Sequence, residues 1–239
     1  MKLSSYEIWH FTHSGFLKVE GVVPLEMVQE AKRVLLEGYQ NPTGPHKLSG
    51  AQTVSKLYAV HARGDVFANM IRLPNIIDIL ISLMGENIVF TPNRHNQGGM
   101  NYRGDATFRY HRDQLRPGHY TVIVYLEDST PENGATYVIP GSHHLPHFPE
   151  REGGMWLDPV GHEYSPLCAQ GVPVPVKAGG ILAFDSYLLH TVGDNTTDNS
   201  RASVVFGYAP VNELTGVVPL YQQLVSGIDL YRGNVSLKK

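Results

Sequence analysis

Residues 110–126 read YHRDQLRPGHYTVIVYL and join a His-x-Asp pair to an apolar, β-branched run. The Val, Ile and Tyr content of Tyr120 to Leu126 predicts a buried strand. Just ahead of it, His111 and Asp113 stand two positions apart. In extended chain the side chains at i and i+2 point the same way, so the two can reach one common point. An imidazole and a carboxylate sharing a point can begin a metal site. With 12 His in the chain the pair alone is a frequent pattern, and its meaning depends on what surrounds it.

Composition narrows the surroundings. The chain has 239 residues, enough for one well-buried domain with extra elements. A net charge of -3 gives no electrostatic reason to expect nucleic acid or an anionic membrane as partner. Charged residues make up only 17%, against 24 Gly, 16 Pro and 13 Tyr, a balance that favours short strands joined by turns. The single cysteine, Cys168, excludes an internal disulfide framework and fits a reducing compartment. No leader-like or membrane-length apolar segment stands out, so a cytoplasmic protein is expected.

Working outward, helices precede strands. Ser4 or Ser5 caps a short helix carrying Ile8, Trp9 and Phe11 and ending at Gly15, before a strand over Phe16 to Val19. Pro24 opens a helix in which Met27, Val28, Ala31, Val34 and Leu35 recur at helical spacing up to Gly38. Gln40 to Gly50 reads as a surface loop, Val54 to His61 as a strand, and Pro74 to Met84 as a second apolar helix closed by Gly85. Beyond it come short runs rich in Val, Ile, Phe and Tyr: 87–91, 120–126, 135–139, 172–176, 180–184, 188–192 and 202–208. The pattern predicts a single domain, mainly β with flanking α-helices. Its helical part covers about 1–86, its jelly-roll core about 87–210, and an irregular insertion about 141–172.

A late strand supplies a third candidate ligand, His190. Two histidines and one carboxylate on one face of an iron(II) ion leave three coordination positions free, which suits oxygen-activating non-haem iron. Eleven residues after His190 comes Arg201, and Ser203 lies two further on. On one strand these two point to the same side, where a guanidinium fork and a hydroxyl suit a dicarboxylate.

His111-x-Asp113, His190 and Arg201, followed by Ala202-Ser203, resemble the iron(II)/2-oxoglutarate dioxygenases in order and spacing. More narrowly, Asn133-Gly-Ala-Thr-Tyr-Val-Ile-Pro-Gly-Ser-His143 and the opening Phe11 to Gly21 are similar to the phytanoyl-CoA dioxygenase-like branch. The resemblance runs from the first helix to about Pro210. It implies a double-stranded β-helix, the cupin-like jelly roll, with Fe(II) held by His111, Asp113 and His190 near an open end. It further implies that Arg201 and Ser203 hold the distal carboxylate of the co-substrate 2-oxoglutarate, that O2 is consumed, and that a polar residue ahead of His111 assists. Asn96 is preferred for that part over Gln97 and Asn101.

The implied activity is oxidative decarboxylation of 2-oxoglutarate coupled to hydroxylation of a small-molecule substrate, such as a specialised metabolite. The same chemistry can end in desaturation, cyclisation or epimerisation. Arg112 stands where glutamine is frequent in the family, which points away from a long-chain acyl-CoA. Asp113 points away from halogenation, which needs a small residue there. Two other classes remain open: a non-catalytic jelly-roll sensor of 2-oxoglutarate or iron, and a cupin-type hydrolase or isomerase. Arg94, His95, Arg116, His119, Trp156 and Tyr164 are candidates for the substrate end. His143, His144 and His147 read as a polar exit from a strand, not as a second metal site, and Cys168 reads as an incidental thiol.

Overall fold

Ser4 starts the first helix, α1 (Ser5–Ser14): its hydroxyl accepts from the Glu7 amide while the Glu7 carboxylate takes the Ser4 amide. That reciprocal box satisfies two otherwise orphaned donors. Gly15 then turns the chain with φ +83° into β1 (Phe16–Val19). These elements come from a computed structural model that describes residues 1–48, 54–92, 95–104, 110–113, 118–146, 156–157, 165–211 and 222–228.

The second helix, α2 (Leu25–Gln40), uses Pro24 as its cap and runs past Gly38, burying Val28, Ala31 and Leu35. The loop expected at 40–50 contains a short edge strand, β2 (His46–Leu48), which pairs with β3 (Val54–Tyr58). That strand stops before His61 because Ala59 adopts φ 54° and opens a 3-10 turn over Val60–Ala62. A helix not foreseen, α3 (Asp65–Met70), precedes α4 (Pro74–Met84), where Pro74 occupies the first turn and Gly85 closes the end.

The remaining strands are β4 (Ile88–Phe90), β5 (Asn96–Asn101), β6 (Tyr110–His111), β7 (Tyr120–Tyr125), β8 (Thr136–Val138) and β9 (Trp156–Leu157). After α5 (Ser165–Cys168) follow β10 (Val172–Val174), β11 (Ile181–Asp185), β12 (His190–Val192), β13 (Arg201–Pro210) and β14 (Gln223–Ser226). They form two antiparallel sheets. The larger has the order β1-β11-β7-β13-β5-β3-β2, with β4 on β13 and β14 on β4; the smaller is β10-β8-β12-β6-β9. This is the double-stranded β-helix. Within the amino-terminal third the expected strands at 16–19 and 54–61 form as β1 and β3, and both join the larger sheet together with β2, which falls where a loop was expected.

Alternation along β13 divides the interior. Ala202, Val204, Phe206 and Tyr208 face the helices and share a core with Val28, Leu35, Phe67 and Ile76. The other face looks toward the smaller sheet, where Ile123, Tyr125, Leu182 and Phe184 meet Val138, Val174 and Leu188. Arg201 and Ser203, at the start of β13, lie on this second face. The insertion at 141–172 contributes a 3-10 turn over Ser142–His144, β9 and α5, and α5 places Cys168 against Tyr110, Ile139 and Leu189.

Candidate active site

Two strands of the smaller sheet bring the histidines together. His190 on β12 and His111 on β6 are direct cross-strand partners, so they point to the same side. Asp113 follows just past the end of β6, where its amide donates to the Ser186 carbonyl at 2.8 Å. Its Oδ1 lies 3.4 Å from His190 Nε2 and 3.7 Å from His111 Nε2. All three candidate ligand atoms fall within 4.8 Å of one another. His190 Nδ1 lies 2.9 Å from the Leu188 carbonyl. Donation there fixes the tautomer and leaves the Nε2 lone pair for the shared point.

Charge follows this geometry. Burial pushes the Asp113 carboxyl up, but the imidazoles of His190, His95 and His111 outweigh it and hold the group well below the usual carboxylate range. Burial likewise pulls His190 down, and Asp113 together with the Leu188 carbonyl more than reverses that, leaving it above the ordinary histidine value. An ionised carboxylate and two imidazoles that point their Nε2 atoms at one spot fit a divalent first-row metal such as Fe(II).

The second half of the site is cationic. Arg201 is 4% exposed, and its Nε and Nη1 are buried with no hydrogen-bond partner among the described residues. Its guanidinium carbon lies 5.3 Å from the Tyr125 ring centroid, and Tyr125 is in turn anchored 2.8 Å from the Thr136 hydroxyl. Burial pulls the Arg201 pKa below the ordinary arginine value. A buried guanidinium with orphaned N–H groups is costly unless an anion completes it, which is what a carboxylate of 2-oxoglutarate would do.

Ser203, two residues on, is the cross-strand partner of Gly99 and Tyr125. Gly99 is in turn the partner of Lys56 on β3. Lys56, Gly99 and Ser203 therefore form one row on the inner face, and a Cβ built on Gly99 would stand 3.9 Å from Ser203 Oγ. Glycine in the middle leaves room for the Lys56 chain to lie across the row. Burial and then the charge of Lys47 pull the Lys56 ammonium below the ordinary lysine value, while Asp113 pushes it the other way. The sequence reading missed Lys56. An alternating strand paired to a glycine was the available signal, but it depends on a register that the sequence does not show.

The structure does not bring Asn96 to this site. Its cross-strand partner is Phe206, so it faces the helices, where its Oδ1 accepts from the His61 amide at 3.0 Å and its Nδ2 donates to the Pro92 carbonyl at 3.0 Å. Gln97 and Asn101, partners of Val205 and Arg201, share the inner face instead. His95 belongs nearer the candidate metal ligands than its grouping with substrate residues implied: Nε2 is 3.3 Å from Asp113 Oδ1, on a backbone with φ 50°.

Arg112 points away from the triad, over the Tyr187 ring, and donates to the Ser142, Leu145 and Pro146 carbonyls. His143 and His144 both place Nε2 3.1 Å from the Thr12 carbonyl and so tie the 3-10 turn to α1. Arg94, Arg116, His147 and Tyr164 lie outside the described residues, as does the side chain of Trp156. Behind Asp113, Thr121 and Ser186 went unforeseen; each is an isolated hydroxyl in or beside an apolar strand.

With this geometry in place, known proteins give a consistent comparison. The sequence profile described as phytanoyl-CoA dioxygenase matches residues 11–203. L-proline trans-4-hydroxylase of Streptomyces griseoviridis is 24% identical over 202 residues, covering 74% of this chain and 75% of that one. Phytanoyl-CoA dioxygenase domain-containing protein 1 of Danio rerio is 28% identical over 183 residues, 71% of this chain but 62% of the relative's length. Among solved structures, the epimerase SnoN with Fe3+, alpha ketoglutarate and nogalamycin RO superposes with a TM-score of 0.71 at 21% identity, covering 94% of this chain and 96% of that one. HygX from Streptomyces hygroscopicus, with nickel and 2-oxoglutarate bound, gives 0.69 at 17% identity over 94% and 98% of the two chains.

Proposed function

The chain belongs to the phytanoyl-CoA dioxygenase family, and on that premise we propose that it couples oxidative decarboxylation of 2-oxoglutarate to C–H oxidation, by preference hydroxylation, of a small-molecule substrate. The observation that carries the reading is the buried Arg201 guanidinium, with its orphaned N–H groups, on the face of the larger sheet that looks toward the smaller sheet, whose strands carry His111 and His190 of the His111, Asp113 and His190 cluster. A sensor could share these parts, but the relatives carry catalytic names, a proline hydroxylase and a 2-oxoglutarate-dependent epimerase among them.

In this mechanism His111, Asp113 and His190 would hold Fe(II), each through one ligand atom. Arg201 and Ser203 grip the distal carboxylate of 2-oxoglutarate, and Lys56 adds a second positive charge on the same face. When bound, the metal would supply the reduction of O2 by 2-oxoglutarate and a substrate C–H bond together, one oxygen atom ending in succinate, released with CO2, and the other in the substrate's new hydroxyl group. Phe184, whose ring centroid is 4.5 Å from that of His190, and the apolar residues behind it exclude water from the wall of the site. Nothing in the arrangement requires a side chain to act as general base.

The test is release of succinate. Anaerobic protein with Fe(II) and 2-oxoglutarate is mixed with O2 in the presence of a panel that includes L-proline, other free amino acids and methylphosphonate. Succinate formation stimulated by one panel member, with a product heavier by one oxygen, is expected. No succinate above a metal-free control would point to the sensor. Turnover without 2-oxoglutarate or O2 would point to the hydrolase or isomerase class.

A further inference from the structure

We infer that Thr121 is a positioning residue of this site: its hydroxyl, braced by Ser186, ties down one oxygen of Asp113 so that the carboxylate meets the metal through the other oxygen alone. The inference rests on the metal-site reading above and assigns a residue that reading does not use.

The two oxygens of Asp113 have different surroundings. Oδ1 is the oxygen near the imidazoles, 3.4 Å from His190 Nε2, 3.7 Å from His111 Nε2 and 3.3 Å from His95 Nε2. Oδ2 accepts from the Thr121 hydroxyl at 2.8 Å. That hydroxyl lies 3.1 Å from Ser186 Oγ, and the Ser186 carbonyl receives the Asp113 amide. The Ser186 amide donates to the His119 carbonyl just ahead of β7. The side chain of Asp113 is thus fastened to Thr121 and its backbone to Ser186, two residues whose hydroxyls meet each other. Thr121 and Ser186 are each 1% exposed and Asp113 is 2% exposed, so water does not compete for these bonds.

The consequence lies in the number of open positions. Three one-atom ligands leave room for a two-atom chelate from 2-oxoglutarate and one further ligand. A carboxylate that swung to bind through both oxygens would occupy one of those positions. Donation from Thr121 to Oδ2 opposes the swing and withdraws charge from the carboxylate, the usual way a partner behind a ligand tunes a metal site.

Thr121→Val keeps the shape and removes the donor, and Thr121→Ser restores it. The probes are Fe(II) and 2-oxoglutarate under anaerobic conditions, read by the visible charge-transfer band of their complex, by 2-oxoglutarate titration and by thermal melting. Relative to wild type, Thr121→Val is expected to melt within a few degrees when free of metal, shift the band, and bind 2-oxoglutarate at least about tenfold more weakly. Thr121→Ser is expected to recover both readouts. A Val variant with the wild-type band and affinity, or a Ser variant no better than Val, would overturn the inference. If Thr121→Val does not fold, Ser186→Ala removes the brace while sparing the Thr121 bond. A smaller shift of the band in the same direction supports the role, and no shift overturns it. A wild-type protein that gives no band at all would instead sink the metal-site reading itself.

Discussion

The His190 ring centroid lies 4.3 Å from that of His111, and the two residues are paired directly across β12 and β6. Strand register alone therefore fixes two of the three candidate ligands. A slip of one residue would send one imidazole to the opposite face. The third ligand has no such guarantee, because Asp113 lies beyond the strand and depends on its bonds to Thr121 and Ser186.

Asp113→Ala tests that division. The histidine pair should persist, since its register does not depend on Asp113, and the far-ultraviolet dichroism should match wild type. Fe(II) affinity should fall at least about a hundredfold, more than the loss of an outer partner produces, and succinate release should disappear. Wild-type turnover in this variant would remove Asp113 from the ligand set.

Arg201→Met separates binding from stability. The buried guanidinium has orphaned N–H groups in the ligand-free protein, so an apolar side chain of similar length should leave melting unchanged or raise it. The 2-oxoglutarate requirement should rise by roughly a hundredfold, as the loss of a buried charge partner costs about 2–5 kcal/mol. Wild-type protein should gain about 2.7 kcal/mol from 2-oxoglutarate at a hundred times its Kd, and the Met variant only about 0.4 kcal/mol at that concentration. Melting curves with and without the ligand decide the matter; an equal shift in both proteins would detach Arg201 from the co-substrate.

Much of this site was legible because its parts are local patterns. The apolar runs that became β7, β11 and β13 showed themselves by composition. The i, i+2 spacing of Arg201 with Ser203 anticipated a shared face, and His111 and Asp113 do meet, although Asp113 lies beyond β6 and is placed by its own bonds. What stayed hidden depended on register between distant strands. Asn96 and Gln97 are neighbours in sequence, yet pairing with Phe206 and Val205 sends them to opposite faces. Lys56 acquires meaning only through Gly99, and Thr121 only through a carboxylate that folding brings to it. Composition did not mark β5, because Asn-Gln-Gly-Gly-Met-Asn has none of the β-branched residues typical of a strand.

Packing explains that unusual strand. A Cβ on Gly98 would overlap Leu35 Cδ2, and Leu35 on α2 is 1% exposed, so the Leu35 side chain presses directly on the backbone of β5. Gly98→Val adds three carbons where none fit. It should destabilise the fold by about 1–3 kcal/mol or more, measured by chemical denaturation, despite the higher strand propensity of valine. A neutral or stabilising result would mean that α2 is free to move off the sheet.

The last prediction concerns pH. In the metal-free protein, burial lowers the His190 pKa but the charge of Asp113 and its hydrogen bond more than offset it, so the folded value lies above the ordinary one. The stabilisation from charged His190 is thus fully present below about pH 6.5, the unfolded value, and is lost as pH rises through the folded value. Asp113 works in the opposite direction: its pKa is depressed in the fold, so its contribution is present above about pH 3.9 and fades as pH falls toward the lowered value. Metal-free protein should be most stable, as far as this pair decides, in the mildly acidic window between those limits. A metal must displace the proton from His190, so Fe(II) affinity should climb with pH by up to about tenfold per unit until His190 is neutral, then level off. Melting curves across pH with a chelator, beside metal titrations at the same pH values, give both profiles. A metal affinity that stayed flat between about pH 5.5 and 7.5 would show that no proton leaves His190 on binding, and would count against its place among the ligands.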